Sequence, residues 1–95
     1  MTEQTSNQFS AVVTDIRLES REGDTVRWRM TLDHTNFTAD DVGLLEAVSR
    51  TGTRLEVPVL GVLIEDGDTW HIVEKPLAAG TDVVGRVTRQ TSRGV

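Results

Sequence analysis

The stretch Thr25–His34, TVRWRMTLDH, alternates apolar and polar side chains with a period of two. Val26, Trp28, Met30 and Leu32 fall on one side, and Arg27, Arg29, Thr31 and Asp33 on the other. Side chains along a strand point to opposite faces in turn, so this order predicts a β-strand with one buried and one wet face. A helix needs its apolar positions three or four apart and cannot use this pattern. Phe9–Glu19 follows the same rule more loosely, with Val12, Thr14, Ile16 and Leu18 set against Val13, Asp15 and Arg17. The intervening SREGD offers Gly23 for a tight turn. Phe9–Asp33 therefore reads as an antiparallel hairpin, and any fold of this chain has to contain it.

The segment TADDVGLLEAVSRTG, residues 38–52, reads as one helix. Thr38 suits the N-cap, and Asp40 and Asp41 lie where a carboxylate favours the positive end of the helix dipole. Val42, Leu45 and Val48, with Leu44 beside them, form an apolar stripe at helical spacing. Arg50 falls in the last turn and Gly52 supplies the stop. Gly43 opposes the helix by up to about 1 kcal/mol relative to alanine, so packing has to hold it.

From Thr53 to Ile64 the chain favours strand. Leu55, Val57 and Val59 share one parity, then Leu60, Val62 and Ile64 take the other. Pro58 cannot donate to a ladder, which predicts an edge, or a bulge that would also produce the change of parity. Glu65-Asp66-Gly67-Asp68 is a hairpin turn, Trp70–Glu74 a short returning strand, and Asp82–Arg89 the last strand. Gly85 within it marks a close backbone approach. The expected fold is α+β but mainly β: a small curved antiparallel sheet or open barrel of about five strands with one helix, in the order β-β-α-β-β-β. Residues 1–8 are expected to be a flexible lead, 9–89 a single domain, and 90–95 a flexible tail.

Composition narrows the function. The absence of cysteine excludes a disulfide framework and a thiolate metal site. No apolar run is long enough to span a bilayer, and MTEQTSNQ lacks the basic start and apolar centre of a secretory signal, so a cytoplasmic protein without a membrane partner is expected. Through Gly85, 7 basic side chains stand against 15 acidic ones, a balance of −8, while the three arginines from Arg86 onward stand without an acid. An acidic body disfavours general affinity for nucleic acid or an anionic membrane. Lys75 is the only lysine beside nine arginines. That bias suits a high-GC genome, such as an actinobacterium or a phage or mobile element living in one.

Candidate chemistry is sparse. His34 and His71 have neither a nucleophile nor a carboxylate at a diagnostic spacing, and both read as strand-end or surface residues. No catalytic residue is assigned, and an enzyme is not expected. Asp40 and Asp41 are explained by capping, and Glu65, Asp66 and Asp68 by turn chemistry. The latter group lacks the length and terminal bidentate glutamate of a calcium loop, so no metal site is assigned. Without a glycine-rich phosphate cradle, no cofactor is implied either. The candidate binding surface is the set of outward arginines, Arg17, Arg27, Arg29 and Arg54, interleaved with carboxylates such as Asp15, Glu19 and Glu56 that could pair with them.

One local resemblance lies near the end. LAAGTDVVGRVTRQTSRGV, residues 77–95, resembles the opening strand of an S1-type RNA-binding domain, in which a glycine precedes a V-x-G-x-V run. It covers that one strand, and no site residue is carried over from it.

The leading expectation is a non-enzymatic β-rich protein acting through protein contacts, an accessory or assembly factor that binds a partner or itself. The apolar excess over Leu55–Ile64 and the edge at Pro58 carry it. The alternative is an oligonucleotide-binding type of small barrel that holds single-stranded nucleic acid on its outward arginines.

Overall fold

A computed structural model describes residues 8–49 and 51–88. Seven strands occur among these residues: β1 Gln8–Glu22, β2 Thr25–Leu32, β3 Val42–Val48, β4 Arg54–Val59, β5 Gly61–Glu65, β6 Asp68–Val73 and β7 Asp82–Thr88. All pair antiparallel in one sheet of order β4-β3-β7-β1-β2-β6-β5. The sheet curls like a barrel but is not closed, since no ladder joins its edge strands β4 and β5. The expected lead and tail fall outside the described residues, except that Gln8 already belongs to β1.

The α+β expectation of five strands and one helix is therefore corrected. The domain is all-β, and no helix occurs among the described residues. The expected helix is β3. Its roles at the entry are reversed: Thr38 caps nothing, and instead its N–H and Oγ1–H both donate to Asp41 Oδ2, at 2.8 and 2.9 Å. Asp40 takes a φ of 68°, outside the helical range. Leu45 and Ala47 then point inward, while Val48, a member of the supposed helical stripe, is exposed. Two ladders hold the segment as a strand, β4 on one side and β7 on the other. Ladders on both sides pair the backbone of β3 at least as fully as a helix would, while Gly43 lowers the helical tendency of the segment. The single strand expected over Thr53–Ile64 divides at Leu60 into β4 and β5. Leu60 N–H donates to Ile72 O while Gly61 is the register partner of Ile72, so two residues face one, as in a bulge. Inward positions change there from Val57 and Val59 to Val62.

Two corners bend the sheet into halves. β1 is the first: Gln8–Val12 pair with β7 and Val13–Glu22 with β2, with a register shift between Val13 and Asp15. The β4–Leu60–β5 passage is the second. Between the halves lies the core of Met30, Leu45, Val13, Val57, Val59 and Val73, each fully buried. Burial of each such side chain stabilises the fold by about 1.5–3 kcal/mol. Phe9 and Phe37 fill the space left by two glycines. The Phe9 ring lies on Gly85, Phe37 lies on Gly43, and the rings meet edge to face at 5.8 Å.

The expected hairpin is present, with Gly23 in its turn at a φ of 60°. Met30 is buried, and Trp28 and Leu32 pack against the core from the same face. The Glu65–Asp68 turn carries positive φ at both Asp66 and Gly67, as a type I′ hairpin turn requires.

Candidate functional site

The outward face of β1, β2 and β6 gathers most of the polar side chains singled out above. Register places Arg17 beside Arg29 and Arg29 beside Ile72, so odd positions of β2 share a face with even positions of β6. Trp70 thereby stands on the arginine face. Arg29 Cζ lies 4.7 Å from its ring centroid and Arg17 Cζ 5.5 Å, and the indole is only 6% exposed. Guanidinium groups attracted to the negative face of the ring thus act as its lid.

Carboxylates hold the lid in place. Arg17 Nε donates to Asp15 Oδ2 at 3.1 Å, and Arg29 Nη1 donates to Glu65 Oε1 at 2.9 Å. Arg29 Nε lies 3.5 Å from Glu19 Oε1, close enough for charge attraction but aimed so that no hydrogen bond forms. Arg27 pairs with Glu74 at 3.5 Å. Three guanidinium groups therefore face Asp15, Glu19, Glu65 and Glu74, and the face carries no surplus of positive charge. Arg54 does not join them. It stands on β4, where its Nη1 donates to Glu46 Oε2 at 3.3 Å, and Glu46 is approached by Arg86 as well.

Arg17, Arg27 and Arg29 are thus brought together, Arg54 is set apart, and Trp70 is the residue that sequence reasoning missed. Its signal was the parity of TWHIV, in which His71 and Val73 point inward and Trp70 and Ile72 outward. Assigning that parity required knowing that the histidine is buried. Replacing Arg29 by alanine should uncover Trp70. Tryptophan emission is expected to shift to the red and acrylamide quenching to rise, with a stability loss of about 1 kcal/mol.

The reading of His71 as a surface residue is also corrected: it is 0% exposed. Its ring joins β6 to β2 and to the following loop. Nδ1 lies 2.8 Å from the Met30 carbonyl oxygen, which can only accept, so Nδ1 carries the proton. Nε2 is then the acceptor for Thr35 Oγ1–H at 2.9 Å, and Thr35 Oγ1 in turn accepts the Phe37 N–H at 3.0 Å. Phe37 completes the cage with an edge-to-face contact at 5.2 Å. Burial among these groups lowers the His71 pKa below 6.5, and the bond to Met30 opposes the shift only in part. With Nδ1 bonded to the Met30 carbonyl and Nε2 to the Thr35 hydroxyl, the neutral imidazole has both nitrogens satisfied and ties β6 to β2 and the loop after it. His34 is exposed and sets its ring edge against Phe9 at 5.6 Å.

Among the described residues no group of three or more histidine or carboxylate side chains is placed to hold a metal ion. No helix of the described residues is long and apolar enough to cross a membrane. An open groove on the outward side of β1, β3 and β7 is lined by Val12, Val48 and Val84 with Asp33, Glu46 and Asp82 around it. Its charged lining is entirely acidic, with the Ser10 hydroxyl beside it. No protein-family model matches the chain, and a search of curated proteins finds no relative.

Proposed function

We propose that this chain is a non-enzymatic β-domain that acts through protein contacts, with the corner Leu55–Ile64 as the contact surface. One observation carries the reading. Leu55, Leu60, Leu63 and Ile64, four of the six large hydrophobic side chains exposed among the described residues, all belong to this corner. Apolar exposure concentrated on edge strands is a usual mark of an interface.

The backbone of the corner is partly guarded. Pro58 has no N–H to offer, Lys75 Nζ reaches the Glu56 carbonyl at 3.5 Å, and Asp40 N–H donates to Val62 O at 3.2 Å. Such devices keep edge strands from pairing indiscriminately. The partner, another protein or a second copy, is therefore met chiefly by side chains. A role as an accessory or assembly factor of a phage or mobile element, working in the cytoplasm of a high-GC bacterium, rests on size and composition.

Single-stranded nucleic acid is disfavoured by the balance of charge around Trp70 and by the closure of that ring beneath two arginines. Phosphate affinity needs a net cationic surface, and base stacking needs an open ring.

Light scattering over a wide concentration range tests the proposal. Apparent mass should rise with concentration or with a co-purified partner, and the double substitution Leu63→Glu, Ile64→Glu should abolish the rise without unfolding the protein. A species of 10.5 kDa at every concentration, with nothing co-purifying, would sink the idea.

A further inference from the structure

We propose that the loop between β2 and β3, residues 33–41, is a clasp between the two halves of the sheet, and that protonation of His71 releases it while the strands stay folded. The proposal is independent of the partner-binding reading, because the loop can open in a monomer.

The loop is fastened in two ways. At its start Asp33 N–H donates to Val12 O and Asp33 Oδ1 accepts the Val12 N–H, both at 2.9 Å. At its end Asp41 N–H donates to Thr38 O at 3.0 Å, and Asp41 Oδ2 takes both donors of Thr38. These bonds tie the loop to itself and to β1. Two others cross to β6 and β5: Thr35 Oγ1–H donates to His71 Nε2 at 2.9 Å, and Asp40 N–H donates to Val62 O at 3.2 Å. Between them lies Phe37, buried, with its ring against Gly43, Phe9 and His71. Since no ladder joins the edge strands β4 and β5, the loop bridges the halves by contacts outside the sheet. A segment held across by two hydrogen bonds and one ring is a unit that can open separately from the strands.

The bond to Thr35 belongs to one protonation state. With Nδ1–H donating to Met30 O, the neutral ring leaves Nε2 as the acceptor that Thr35 uses. A proton on Nε2 turns it into a donor, strands the Thr35 hydroxyl hydrogen and places a positive charge in the core. Charged groups on the elements around the ring are engaged or turned elsewhere. On β2 Arg29 points outward, and the Asp33 carboxylate that follows that strand is bonded to β1. Glu65 of β5 is bonded to Arg29, while on β6 itself Asp68 is exposed and at its end Glu74 pairs with Arg27. In the loop His34 and Asp40 are exposed, and Asp41 is engaged by Thr38. Burial lowers the pKa of the closed form below 6.5, against the bond to Met30, and opening returns the ring toward 6.5. Below that pH the open form binds the extra proton, so the clasp is held fully above 6.5 and loosens as pH falls through the interval.

Amide hydrogen exchange in the full chain tests this, expressed as protection factors so that the chemical effect of pH on exchange cancels. Asp40 is the reporter, since its bond to Val62 O breaks when the loop lifts and does not involve the ring. Between about pH 7.5 and 5.5 its protection should fall by up to about tenfold, the limit for one proton gained on opening, and should be insensitive to dilute urea. Leu45 and Met30, in strands paired on both sides, should be better protected and should lose protection with urea. His71→Asn should remove the pH dependence at Asp40. Thr35→Val keeps the histidine and should lower Asp40 protection already at neutral pH, which preserves the test if His71→Asn does not fold. Asp40 protection that is unchanged between the two pH values, or that keeps its pH dependence in His71→Asn, would overturn the proposal. So would exchange at Asp40 that follows Leu45 in urea, since the loop would then leave only with the whole fold.

Discussion

Gly43→Ala is expected to destabilise the domain by about 3 kcal/mol or more, although alanine ordinarily improves a strand interior by about 0.5–1 kcal/mol. The Cβ would be built into the Arg86 carbonyl oxygen of β7 and into the Phe37 ring at the same time. The ring could turn aside, but the carbonyl belongs to the ladder that holds β3 to β7 and cannot. Overpacking against backbone thus separates two central strands. For a domain of this size, each 1 kcal/mol corresponds to roughly 4–8 °C in Tm, so a thermal melt should fall by at least about 12 °C. Gly61→Ala is the control, since no atom lies within 4 Å of the added carbon. Its melt should be unchanged or slightly raised. If both variants melt alike, the close packing of β3 on β7 is wrong.

His71→Leu should cost about 2–4 kcal/mol, because it leaves the Met30 carbonyl and the Thr35 hydroxyl buried without their partner. The same residue gives stability a pH dependence. Burial lowers the His71 pKa in the folded state below the ordinary value of 6.5. Between the lowered value and 6.5 the unfolded chain binds the extra proton, so acid favours unfolding. The contribution is complete above pH 6.5 and is lost as pH falls through that interval. Protonation would also turn Nε2 into a donor aimed at a hydroxyl that now donates to it. Urea midpoints measured between about pH 5 and 8 should decline on the acid side in the native chain. The decline should be shallower in His71→Asn, which retains a donor for Met30 O but does not titrate there. An equal decline in both would place the acid sensitivity elsewhere.

Much of the candidate site was legible along the chain, and its centre was not. Alternation alone put Arg27 and Arg29 on the wet face of β2, and Arg17 on the corresponding face of β1. Pairing of arginines with Asp15 and Glu19 followed from short separations on one hairpin. Trp70 under Arg17 and Arg29 depended on β6 lying beside β2, a contact between residues more than forty apart. Arg54 had the right parity but the wrong half of the sheet. Parity says which side of a strand a residue occupies and nothing about which strand is its neighbour.

The sequence by itself determined the β1–β2 hairpin, the hairpin turn over Glu65–Asp68, the break near Pro58 and the acidic, cysteine-free character of the domain. Each of these depends on residues adjacent in the chain or on simple sums over it. Tertiary structure alone decided the state of Val42–Val48. VGLLEAV places apolar side chains at both helical and strand spacing, so its local preference is divided. Two flanking ladders and the Phe37 ring against Gly43 resolve it as a strand, because backbone pairing on both sides outweighs a weak helical tendency. The burial of His71 has the same origin: its partners Met30, Thr35 and Phe37 converge on it only after β6 has joined β2.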